Sequence, residues 1–307
     1  MNRKTLWRAI VSGTAAAATL TLAAPSAHAV TGTLKKIKDT GTIVIGNRES
    51  SIPFSYFEDD KKPIGYSTDI CLRVVDAIRR SLAMPSLRVE YKLVTSATRI
   101  PLVKDGSVDL ECGSTTNNLD RQKEVAFSVT TFIAANRMVS KKSAGIRILL
   151  NLKNKPVVVT TGTTSLKLLK DINAKESYNM TILEGKDHAE SFGMIEDGRA
   201  LAFSMDDILL ASLIANSKNP TDYVLWGQPL ALEPYGIMMR RDDTELKVAV
   251  DDAIVALFKS GEIKKIYRKW FLSPIPPKGI NLNVPMSETL ERVIKKPTDS
   301  GNPTSYL

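Results

Sequence analysis

The residues of this chain that could do chemistry are arginines, hydroxyls and one aspartate, gathered in loops that follow β-rich runs. The first loop is Gly46-Asn47-Arg48-Glu49-Ser50-Ser51. The second runs from Cys112-Gly113-Ser114-Thr115-Thr116-Asn117-Asn118 to Leu119-Asp120-Arg121, and the third is Thr161-Gly162-Thr163-Thr164-Ser165, opening a helix-like run. Open α/β sheets collect ligands just beyond the carboxyl ends of their strands. Hydroxyls and free N–H groups at a helix start make an anion site there, reinforced by the helix dipole. Arg121 adds a planar fork that matches a carboxylate in bidentate fashion. Ser96 and Arg99 stand at another helix start, Lys186-Asp187-His188 follows a strand, and Asp206-Asp207 follows another. Singly, each has a plainer meaning: threonines and Asp206 as helix caps, an arginine as a solvated charge. Together they outline a cleft with several cations, many hydroxyls and one anion suited to an ammonium group.

Other chemistries find no support. There is no G-x-S-x-G elbow, no H-E-x-x-H and no P-loop. His188 is the one histidine beyond His28, which limits acid–base proposals, and it forms no metal cluster with the separated Cys71 and Cys112. No cofactor or metal is therefore expected. The net charge is +9, but the basic residues are scattered, so nucleic acid is not expected as a partner. A basic surface instead concentrates an anionic solute. The two cysteines could pair in an oxidising compartment or remain as buried thiols; spacing does not decide.

The N-terminus supplies that compartment. Arg3, Lys4 and Arg8 precede an Ala/Val/Leu/Thr-rich stretch, and Ala27-His28-Ala29 gives a small-x-small cleavage pattern. Residues 1–29 are read as a cleaved signal peptide. The stretch is interrupted by Ser12 and Gly13 and is weak for a spanning helix. A free, soluble, extracytoplasmic protein is expected.

The elements that must position the loops alternate between strand and helix, which argues α/β architecture. Thr42–Ile45 reads as a strand, and Ile70, Val74, Ile78 and Leu82 as one helix face with Ser67, Thr68 and Asp69 as capping candidates. Leu87–Leu93 and Val108–Cys112 are further strands, with a short helix at Ile100–Lys104 between them. A second series begins near Asn151: strands at Val157–Val159, Met180–Leu183, Leu201–Ser204 and Tyr223–Trp226, with helices after Ser165, His188 and Asp207. Two such series suggest two lobes. Beyond Tyr235, Leu246, Val250, Ala253, Ile254 and Leu257 mark an amphipathic helix, followed by a helical run through Ile263 and Ile266 to Phe271. The tail from Ser273 is Pro-rich, and its last ten residues are expected to be poorly ordered.

These motifs resemble the periplasmic solute-binding proteins of polar amino-acid uptake transporters, in particular their glutamate/aspartate receptors. The matching residues are Gly65-Tyr66-Ser67-Thr68-Asp69-Ile70, Gly113-Ser114-Thr115-Thr116-Asn117-Asn118 with Arg121, Val157 to Thr164, Lys186-Asp187-His188, Met205-Asp206-Asp207, and Lys269-Trp270-Phe271 with Pro274-Ile275-Pro276-Pro277. The resemblance implies a two-lobed α/β fold of the periplasmic-binding-protein type II with two crossing hinge strands. Lobe one would hold residues 30–133 and 237–307, and lobe two residues 134–236. It implies that Arg121, Ser114, Thr116 and Thr164 hold an α-carboxylate with Thr163 nearby, that Asp206 takes an α-ammonium, and that Arg48, Ser96, Arg99 and His188 surround a side-chain carboxylate. It further implies a monomer that captures L-glutamate or L-aspartate and delivers it to the membrane permease of an ABC transporter. A second cationic cluster needs a second negative charge, which disfavours glutamine. The rival readings are an exported enzyme on this fold, such as a cyclohexadienyl dehydratase-like protein, and a solute-sensing receptor or adhesin.

Overall fold

The computed structural model describes residues 30–58 and 62–307; the expected signal peptide lies outside them. Among the described residues are two five-stranded sheets and a small three-stranded one. In the first sheet Thr42–Asn47 lies parallel between Arg88–Leu93 and Leu110–Glu111. Met238–Arg240 adds antiparallel to Leu110–Glu111 and carries Val125–Phe127 at the edge. In the second sheet Pro156–Thr160 lies parallel between Thr181–Gly185 and Ala202–Asp206. Phe132–Lys141 pairs antiparallel with Ala202–Asp206 and with Tyr223–Tyr235.

The two long strands Phe132–Lys141 and Tyr223–Tyr235 link the sheets. Their register runs from Tyr223 opposite Lys141 to Tyr235 opposite Phe132, with a shift between Trp226 and Ala231. At the Phe132/Tyr235 end the chain reaches the first sheet's territory: Thr131 N donates to the Tyr235 carbonyl, Gly236 N to Thr115, and Ser128 N to Ile237. An aromatic cluster fills this crossing. Phe132 stacks on Phe271 with centroids 5.1 Å apart, and Phe54 meets Phe132 and Tyr235 edge-on at 4.9 and 5.1 Å. Edge-to-face and stacked pairs of this kind add specific attraction to the burial of large apolar area.

Each sheet has its own core, Val94, Val103, Val108, Val125, Phe127 and Met238 in one, and Met138, Leu152, Val157, Val159, Leu169 and Trp226 among others in the second. The helix Tyr66–Ser81 buries Ile70, Val74, Val75 and Ile78 at helical spacing. Ser67, Thr68 and Asp69 are not its caps. They lie within the first turn, where the Ser67 hydroxyl donates to the Gly113 carbonyl at 2.7 Å and Asp69 accepts from Trp270 Nε1 at 2.7 Å. Cys71 of this helix is bonded to Cys112, with 6.3 Å between Cα atoms, so the pairing left open by spacing is made.

Helices Thr244–Ser260 and Glu262–Phe271 bury Leu246, Val250, Ile254, Ile263 and Ile266. The last ten residues depart from the expected poor order, and the segment before them is helical. Glu288–Lys295 forms a helix and Pro303–Tyr306 a 3-10 turn, with Tyr306 only 3% exposed. Composition registers proline and polar content; it does not register a few long-range contacts that pin a segment.

Candidate functional site

The loops that end the strands of both sheets converge at the crossing. Arg48 follows Thr42–Asn47, and its backbone N–H donates to Ser55 Oγ at 3.0 Å. Its Nη2 donates to Ser96 Oγ at 2.6 Å and faces His188 Nε2 at 3.4 Å. Arg99 opens the helix Arg99–Lys104, and its Nη1 donates to Thr115 Oγ1 at 2.5 Å. Arg121 sits on the single turn Leu119–Gln122, capped by Asn118 Oδ1, which accepts from Arg121 N at 2.8 Å. Its Nη1 donates to the Thr116 carbonyl at 2.8 Å and its Nη2 reaches the Gly162 carbonyl at 3.3 Å, from the other sheet's loop.

From the second sheet, Thr163 caps the helix Thr164–Lys175: its hydroxyl accepts from Leu166 N and donates to the Thr160 carbonyl at 2.7 Å. The plain capping role therefore applies to Thr163. Thr164 Oγ1 instead donates to Glu233 Oε2 at 2.9 Å. Asp206 precedes the helix Asp207–Asn216 but does not cap it; its Oδ2 accepts from the Tyr235 hydroxyl.

The tautomer of His188 follows from its partners. Ser191 Oγ donates to the Asp187 carbonyl, so Thr160 Oγ1 donates to Ser191 Oγ and is free to accept from His188 Nδ1 at 3.0 Å. That leaves Nε2 as the acceptor, facing a guanidinium that can only donate. Burial, with Arg48 and Arg99 adding repulsion, holds the imidazole pKa well below its ordinary range. As placed, a neutral His188 orients Arg48.

Ser96, Arg99, Ser114, Thr116, Thr163, Thr164, His188 and Asp206 line one small cavity with Met205, about 10 Å³ in volume. That is room for about one water at most. Arg48 and Arg121 stand one contact away, on Ser96 and His188 and on Thr116. Arg48 Nη1, Arg99 Nε and Asp206 Oδ1 are buried without a hydrogen-bond partner among the described residues. Buried polar groups are normally satisfied, so these two cationic donors and one acceptor stand out around the cavity.

The electrostatics follow from burial. Desolvation, and then Arg99, pushes Arg48 and Arg121 each down to about 9, and desolvation lowers Arg99 as well. Desolvation, then the charge on Glu233, holds the Asp206 carboxyl well above its usual range. Desolvation also raises Glu233, against hydrogen bonds from Thr116 and Thr164.

Three residues here escaped the sequence reading. Glu111, fully buried, accepts from Thr115 Oγ1 at 2.5 Å and so anchors the hydroxyl that receives Arg99. Glu233 and Tyr235 lie on the crossing strand, where the chain gives no loop signal. The one available sign was the pair of acids, Asp109 and Glu111, alternating with apolar residues in the expected strand Val108–Cys112, positions that call for a cation nearby when buried.

Two α/β lobes bridged by a pair of antiparallel strands, with buried guanidinium groups and a carboxylate converging at the seam, define a two-lobed solute-binding protein. The chain belongs to the bacterial extracellular solute-binding proteins, family 3, whose profile matches residues 43–273. It is 55% identical over 287 residues to an L-glutamate/L-aspartate-binding protein of Pseudomonas aeruginosa, covering 93% of this chain and 95% of that one. It is 46% identical over 285 residues to a glutamate/aspartate import solute-binding protein of Escherichia coli, covering 93% and 94%. Among solved structures it is similar to an ancestral arginine-binding protein bound to arginine, with a TM-score of 0.68, 27% identity, and coverage of 75% of this chain and 98% of that one. No helix among the described residues is long and apolar enough to cross a membrane.

Proposed function

We propose that this protein captures L-glutamate or L-aspartate between its lobes in the periplasm, after removal of residues 1–29, and delivers it as a monomer to the permease of an ABC transporter. The observation that carries the ligand class is the pair of separate cationic positions. Arg121, with Ser114, Thr116 and Thr164, faces one carboxylate, with Thr163 beside them. Arg48 and Arg99, with Ser96, face a second, and His188 holds Arg48 in place. Asp206 Oδ1 is left for the α-ammonium. A neutral amide would leave guanidinium donors without a negative partner.

Capture by closure is supported by contacts between the two sides: Arg121 with Gly162 and Arg48 with His188. With lobe one as residues 30–133 and 237–307 and lobe two as residues 134–236, only a closed state brings both sets of groups to one solute. The ligand then selects that state. The names of the similar proteins support the same ligand and the same transport role. Thermal unfolding of ligand-free, refolded protein tests the reading. Stabilisation by both acids is expected, and no shift with either would overturn it.

A further inference from the structure

We infer that the C-terminal segment 297–307 is a strap that positions Arg121, and that Asp299 and Gly301 are its working residues. This rests on the proposed role of Arg121 as the carboxylate anchor. The family match ends at residue 273. The tail lies beyond the stretch the family profile matches, and it packs against the loop that carries Arg121.

The contacts fall on both sides of that arginine. The Asp299 carbonyl accepts from Asn117 Nδ2 at 2.8 Å and from Gln122 Nε2 at 2.9 Å. Gln122 Nε2 also donates to Asn117 Oδ1 at 2.8 Å, so the strap and the loop share one closed set of hydrogen bonds. Gly301 lies flat on the loop: a Cβ there would stand 2.8 Å from Asn118 C and Leu119 N. The strap itself is pinned elsewhere. Thr130 N donates to the Thr298 carbonyl at 2.8 Å, Lys247 pairs with the Asp299 carboxylate at 2.8 Å, and Tyr306 OH donates to the Ser300 carbonyl while accepting from Thr130 Oγ1.

The helix bearing Arg121 has four residues, a single turn that cannot sustain itself. Its direction is therefore set by outside contacts, and the strap supplies those at Asn117 and Gln122. Arg121 points from this turn toward Thr116 and Gly162 while its neighbour Gln122 points to the strap.

The experiment compares wild type with a chain ending at Lys296, with Gly301→Val and with Gln122→Leu. The last two leave the anchors at Thr130 and Lys247 in place and decide the matter where the truncated chain fails to fold. Affinity for L-glutamate and L-aspartate is read by calorimetry, beside ligand-free thermal stability. Weakening of both acids by about tenfold or more, since misplacement of a charged group by about 1 Å has effects of that order, is expected in folded protein. Unchanged affinity with only a lower midpoint would overturn the positioning role. Should wild type bind neither acid, the ligand reading fails separately. Crystal structures of the variants then decide the strap: displacement of Arg121 from the Thr116 carbonyl supports it, and an unmoved Arg121 contradicts it.

Discussion

Gly162 is the sharpest probe of lobe closure. It has φ +76°, and a Cβ at this position would stand 2.7 Å from Ala97 Cα, Ala97 N and the Ser96 carbonyl oxygen. These are backbone atoms of the opposing lobe, which no rotamer change can clear. Gly162→Ala has two effects that can be told apart. The left-handed backbone strain, about 1 kcal/mol, is present in open and closed forms alike and lowers folding stability only. The clash exists only when the lobes meet, and overpacking of this kind costs about 1–3 kcal/mol. That amounts to roughly 5- to 150-fold weaker ligand binding. The same wedge lengthens the Arg121–Gly162 contact of 3.3 Å. Calorimetry gives the affinity, and small-angle scattering with and without ligand gives the extent of closure. Affinity within twofold of wild type, with full compaction, would refute the placement of Gly162 at the seam.

Further outcomes follow from the buried charges and the disulfide. Arg99→Ala removes a desolvated cationic donor, so glutamate should weaken by about 1.5–3 kcal/mol, roughly 10- to 150-fold, and a neutral amino acid far less; equal losses in competition titrations would place Arg99 away from the side-chain carboxylate. Asp206 and Glu233 bind their protons more tightly folded than unfolded. Their contribution to ligand-free stability is therefore full below the unfolded carboxyl pKa of about 4 and is lost as pH rises through the raised folded values. Denaturant titrations across pH should show a shallower slope for Asp206→Asn, and an identical slope would contradict the assignment. Replacing Cys71 and Cys112 with serine opens a link spanning 41 residues. The chain-entropy account puts this at about 4 kcal/mol of stability, measurable as a lower denaturation midpoint, and an unchanged midpoint would contradict it.

The alternation of strand and helix was legible because buried strands and amphipathic helices leave short-range signatures, as at Thr42–Ile45 and at Ile70, Val74 and Ile78. Loop residues such as Arg48, Arg99, Arg121 and Asp206 stood out because charge and hydroxyls cluster after strands. What was hidden depends on distance along the chain. Glu233 and Tyr235 look like ordinary strand residues until the crossing brings them to Thr164 and Asp206. Tyr306 looks like a loose end until its hydroxyl meets Thr130. The partners of His188, Thr160 and Arg48, come from distant elements that only tertiary structure brings together.

The central claim is that two separate cationic positions select a dicarboxylic amino acid. Calorimetric titration of ligand-free protein with L-glutamate, L-aspartate and L-glutamine tests it most directly. Both acids should bind with high affinity, and glutamine at least about 100-fold more weakly, a gap of roughly 3 kcal/mol. Glutamine binding as tightly as glutamate would contradict the account.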